Sequence, residues 1–220
     1  MIRKMLVVAA AAAMPITAIA ASGGFAAAAA PKVDATHYTV ACTGISATAK
    51  FTPALTFNGS TPSNQATAIK GTASGCTATP VGSPGTPIAI TGVKISGTIN
   101  DANSDHGCTG LLTPTTETGS LTLKWTTTPK LTVASSVTNP TTVTGGAGGD
   151  GNATFSLGFG AATSGPFQGA DNGTSSTNSA ETTTSVSAIT ALCQGKKGLK
   201  SIAITKNTNV GAPANALVLK

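Results

Sequence analysis

Apolar residues recur at every second position through much of the chain. In "SLTLKWTT", Leu121, Leu123 and Trp125 point one way while Thr122, Lys124 and Thr126 point the other. Phe155, Leu157 and Phe159 repeat the pattern, as do Ile202 and Ile204. A two-residue period marks a half-buried strand. The abundant threonines suit its wet face, because β-branched side chains fit a pleated surface. The alternation predicts strands at 37–51, 65–73, 87–99, 118–128, 130–138, 152–159, 183–193, 199–206 and 215–219. No window between the N-terminal segment and the end has the spacing of an amphipathic helix.

Two of these strands change phase. In "PIAITGVKISGTI", Ile88 and Ile90 share a face, then Val93, Ile95 and Ile99 continue one residue out of step, with Gly92 at the slip. Tyr38, Val40 and Cys42 alternate, and Ile45, Ala47, Ala49 and Phe51 resume in the opposite phase after Gly44. Such slips predict bulges or bends, and long bent strands belong to two-sheet sandwiches. The expected fold is all-β, a two-sheet sandwich or jelly-roll-like arrangement of about eight or nine strands. No repeat of about 20–50 residues is visible, which disfavours solenoids and propellers.

The first residues break this pattern. "MIRKMLVVAAAAAMPITAIA" has a basic head at Arg3 and Lys4, an apolar run, and Ala-x-Ala sites from Ala18 to Ala30. That order reads as a secretory signal peptide over residues 1–30, cut between 20 and 30. Pro15 and Thr17 interrupt the run, and about 20 strongly apolar residues are needed to span a bilayer. Residues 31–220 are then expected to form a single β-sandwich domain without a transmembrane segment, secreted or held at the cell envelope. Cys42, Cys76, Cys108 and Cys193 all fall in that part, and an even count in an exported chain predicts two disulfides. Strand phase points Cys42 and Cys193 inward, so the expected pairs are Cys42–Cys193 and Cys76–Cys108.

The formal charge of +6 drops to +4 when the two basic residues Arg3 and Lys4 leave. Lys196, Lys197, Lys200, Lys206 and Lys220 crowd the C-terminal end, while the earlier mature chain is close to neutral. With aromatic residues at 4%, base-stacking platforms are lacking, so no nucleic-acid partner is expected. Lys196, Lys197, Lys200 and Lys206 could contact an anionic surface such as a wall polymer or phospholipid. The competing reading is a solvated edge strand whose lysines discourage pairing with another chain.

Candidate chemistry is sparse. "GGAGGDGN" at 145–152 nearly spells a calcium β-roll turn, but the large apolar position holds Asn152 and no second copy follows. A hairpin tip between the strands at 130–138 and 152–159 is expected instead. In "DANSDHG", Asp101, Asn103 and Asp105 alternate like the start of a calcium loop. His106 stands where such a loop has Gly, and Leu112 where it has Glu, so an Asx-rich turn is favoured and no metal is expected. His37 and His106 are the only imidazoles, and no Gly-x-Ser-x-Gly elbow occurs. The seven acids fall almost wholly in turn contexts, which speaks against a carboxylate pair. No catalytic residue and no cofactor follow from this. Trp125, in phase with Leu121 and Leu123, reads as core and not as a sugar platform.

The Cys42 strand leading to "FTPALTF", the Gly75-Cys76 and Gly107-Cys108 pairs, the "SLTLKW" strand and the late Cys193 loosely resemble small Ala/Thr/Gly-rich exported proteins of actinobacteria. That resemblance implies export and an all-β fold, with no activity attached. The reading that results is a non-enzymatic β-sandwich at the envelope or outside the cell, with a surface-binding or structural role. Its partner would be a cell-wall polymer or glycan. The alternatives are a carbohydrate-binding module and a secreted hydrolase with a loop-built site.

Overall fold

The computed structural model describes residues 32–35, 38–57, 66–82, 85–101, 107–108, 111, 115–138, 140–159, 164–167, 176–208 and 216–219. The signal segment, His37, Asn103, Asp105, His106 and Lys220 lie outside them. The expected all-β architecture is present. Its strands are β1 (Tyr38–Leu55), β2 (Ala66–Pro80), β3 (Ala89–Asp101), β4 (Thr115–Thr128), β5 (Ser135–Thr138), β6 (Pro140–Ala147), β7 (Asn152–Phe159) and β8 (Ser176–Ser185). A helix α1 (Val186–Gln194) precedes β9 (Leu199–Lys206) and β10 (Leu217–Leu219).

The two layers of a sandwich are here parts of one antiparallel sheet. Hydrogen-bonded neighbours run β1-β2-β3-β4-β6-β7-β8-β9, and β9 pairs back onto β1 through Ala47↔Ile204 and Ala49↔Ile202, closing the circuit. β10 takes the remaining edge of β1 through Val40↔Leu219, and β5 lies on β4 through Leu123↔Ser136. Closure removes the free edges through which sheets associate. It also demands sharp coiling, and inward positions of three neighbouring strands supply it. Gly71 is paired with Ala47, Gly97 with Leu121 and Gly119 with Ile99. A Cβ at Gly71 would strike Ala47, one at Gly97 the Ser120 carbonyl, and one at Gly119 the Thr98 carbonyl. Glycine admits this backbone approach where any side chain would hold the strands apart.

The phase slips share one line across the sheet. On β1 the buried set changes from Tyr38, Val40 and Cys42 to Ala47, Ala49 and Phe51. β2 changes at the same level: Thr43 lies between the paired positions Cys42↔Cys76 and Gly44↔Ser74, opposite Gly75 at φ +60°. On β3 the ladder to β4 jumps from Ile90↔Thr127 to Gly92↔Thr126, leaving Thr91 as a bulge. The bend foreseen at Gly92 is therefore real. The one at Gly44 is real too, but both strands slip together, so the register is kept while the buried face reverses.

Two packed clusters result. The first gathers Tyr38, Val40, Cys42, Ile95, Trp125, Phe167 and Leu217. Trp125 is core, as expected: its ring meets Phe167 edge-on at a centroid distance of 4.8 Å. Its Nε1 donates to Ser136 Oγ at 2.8 Å, and Ser136 in turn donates to the Pro166 carbonyl at 2.5 Å. The second cluster joins Ala49, Phe51, Leu55, Ile189, Cys193, Leu199 and Ile202.

Three expectations need correction. The strand placed at 183–193 ends at Ser185, and residues 186–194 are helical. Ser185 caps the helix, its Oγ accepting from the Ala188 amide at 3.3 Å. Ile189 and Cys193, four residues apart, form its buried side, whereas Ala191 is exposed. The glycine hairpin joins β6 to β7, with its turn at 148–151, so Gly145 and Gly146 belong to a strand. The disulfides are Cys42–Cys76 and Cys108–Cys193. Cys42 faces Cys76 directly across the β1–β2 ladder, whereas Cys193 sits on the helix in the second cluster and meets Cys108 there.

Candidate functional site: a lysine face and an apolar cavity

The outward positions of β1 to β4 carry one lysine per strand. Lys50, Lys70, Lys94 and Lys124 are all exposed. Register brings them together: Lys94 is directly opposite Lys124, Lys70 is opposite Ser96, and Lys50 is opposite Ala68. Successive lysines are thus direct or diagonal neighbours, roughly 5–8 Å apart at Cβ. The positions between them are Ser46, Thr48, Thr72, Ser96, Thr98 and Thr122, and among the described residues no carboxylate stands between these lysines. Like charges directly opposite one another weaken a sheet, so the Lys94–Lys124 pair does not serve stability. Edge protection is no explanation either, since β1, β2, β3 and β4 are each paired on both sides.

Sequence reasoning missed this group and singled out the C-terminal lysines. Lys196, Lys197 and Lys200 are exposed around the turn from α1 into β9, and Lys206 is half-buried at the far end of β9. β9 pairs with β1 along most of its length and with β8 only from Ile204 to Lys206, so of these lysines Lys206 stands where the strand is flanked by β8. Ser201, beside Lys200, lies opposite Lys50, so the start of β9 borders the lysine face. A signal for the wider face existed in the sequence: each of these four strands has a lysine in the phase opposite to its core residues.

The other candidates lead elsewhere. Asp101 ends β3, while its would-be partners Asn103 and Asp105 fall outside the described residues. Among the described residues no group of three or more His, Cys, Asp or Glu could hold a metal ion. In the glycine hairpin, Asp150 accepts from the Asn152 amide at 3.0 Å and from its Nδ2 at 2.6 Å, so its carboxylate is tied to its own turn. Glu181 departs from the expected turn context: it lies buried on β8 and accepts from Thr208 Oγ1 at 2.9 Å. Phe57 is exposed.

Between the strands of the sheet lies a pocket of about 160 Å³, partly open to solvent. Its described lining is apolar except for Thr67. Ile45, Ile69, Phe155 and Ile204 line it and remain only half-buried. Ala47, Ala49 and Ala180 also line it.

No known protein family, curated protein or solved structure matches the chain.

Proposed function

We propose that this is an exported, non-enzymatic protein that binds an anionic polymer of the cell envelope through its lysine face. The observation that carries the reading is the contiguity of Lys50, Lys70, Lys94 and Lys124 on one sheet surface without an interleaved acid. The strands lie about 4.8 Å apart, so four lysines fall within a patch about 15 Å wide, comparable to two Debye lengths at physiological salt. Their fields add, and a chain of regularly spaced phosphates or carboxylates meets several at once. Lys196, Lys197 and Lys200 add exposed positive charge at the α1–β9 turn. Export is supported by the N-terminal signal pattern and by two disulfides, which persist in oxidising compartments. No described helix is long and apolar enough to cross a membrane.

The test is co-sedimentation of the mature protein with isolated cell walls. Lys94→Glu/Lys124→Glu places two negative charges at the centre of the patch. It is expected to lower bound protein at least tenfold at about 0.05 M salt, and about 0.5 M salt should release the wild type. Wall binding unchanged by the double substitution refutes the reading. Binding to anionic vesicles with none to walls assigns the face to lipid instead.

A further inference from the structure

The apolar pocket within the sheet, partly open to solvent, is distinct from the lysine face. A circuit of eight strands has an interior just wide enough either to be filled by side chains or to hold one small ligand. In this protein the inward positions do not fill it. Ala47 and Ala49 on β1 and Ala180 on β8 stop short of the centre, and Ile45, Ile69, Phe155 and Ile204 keep accessible surface toward it.

Water is a poor occupant. A buried water makes about three hydrogen bonds, and the described lining offers the hydroxyl of Thr67 as its one polar side chain. The volume of about 160 Å³ matches that of dry cavities, near 150 Å³, that take up benzene or xenon. It is too small to take up the whole of a long acyl chain or a sterol. We infer that the interior is a binding site for a compact, uncharged, hydrocarbon-like molecule, a single ring or a short alkyl chain with at most one polar substituent.

The probe is benzene, added to the mature protein with both disulfides intact. Thermal unfolding is followed with and without saturating benzene, alongside a calorimetric titration. Saturation is expected to raise the midpoint by roughly 2–5 °C. Ala49→Leu extends a buried side chain into the space, and it should abolish both the shift and the heat of binding. 1,3,5-Triethylbenzene, whose own molecular volume exceeds the space, should produce no shift in the wild type. That size limit remains readable if Ala49→Leu does not fold. The inference is overturned if benzene neither shifts the midpoint nor binds. A shift of equal size in folded Ala49→Leu, or with 1,3,5-triethylbenzene, overturns it as well, because the molecule would then be bound elsewhere.

Discussion

The two disulfides close loops of unequal length, and their contributions to stability should differ in a defined order. Cys42–Cys76 spans 34 residues and Cys108–Cys193 spans 85. If a bridge acts by restricting the unfolded chain, the first contributes about 3.8 kcal/mol and the second about 4.6 kcal/mol. The folded state pushes the same way. Cys42 and Cys76 join strands already paired from Tyr38↔Pro80 to Thr52↔Ala66, so their neighbours keep their places without the bond. Cys108 and Cys193 are both buried, and they anchor a short segment held otherwise by the Cys108 amide donating to the Thr56 carbonyl at 3.1 Å. Two double variants, Cys42→Ala/Cys76→Ala and Cys108→Ala/Cys193→Ala, separate these effects. Trp125 is the sole tryptophan and is buried, so its emission reports urea unfolding directly. With a denaturant slope of about 1–3 kcal/mol/M, the second variant should unfold at least about 0.3–0.8 M urea below the first. An equal midpoint, or a lower one for the Cys42/Cys76 variant, refutes the loop-length account together with the anchoring role given to Cys108.

Two further outcomes test local chemistry. Ser136→Ala leaves the Trp125 indole N–H and the Pro166 carbonyl buried without their shared partner. It should cost about 1–3 kcal/mol in urea unfolding, with a change in Trp125 emission before the transition. Ser185→Ala removes the helix cap and should cost about 0.5–2 kcal/mol. Its amide exchange should quicken in residues 186–194 while that of β3 stays unchanged.

What could be read from the sequence was what depends on single strands. Alternation at Leu121, Leu123 and Trp125 placed that tryptophan in the core, and the slip after Ile90 marked the bulge at Thr91, because facing is decided by neighbours two residues apart. The helix at 186–194 escaped for a specific reason. Ile189, Ala191 and Cys193 alternate as a strand would, while Ile189 and Cys193 alone satisfy one helical turn, so a short segment fits both periods. The capping Ser185 was the discriminating signal. The disulfide pairing, the lysine face and the cavity all depend on register between strands. Lys94 and Lys124 are thirty residues apart in the chain, and nothing local states that they stand opposite one another.

The line of reversal at Thr43, Gly75 and Thr91 bears on how the molecule comes apart. β1 places Tyr38, Val40 and Cys42 in one cluster and Ala49, Phe51 and Leu55 in the other, and Ile69 of β2 packs against both. Neither cluster can therefore dissolve while the other keeps its full set of strands, since each would have to release the same continuous backbone. The reversal thus acts as a mechanical coupling, making the two cores lose structure in a single step where two independently packed layers could fail one at a time.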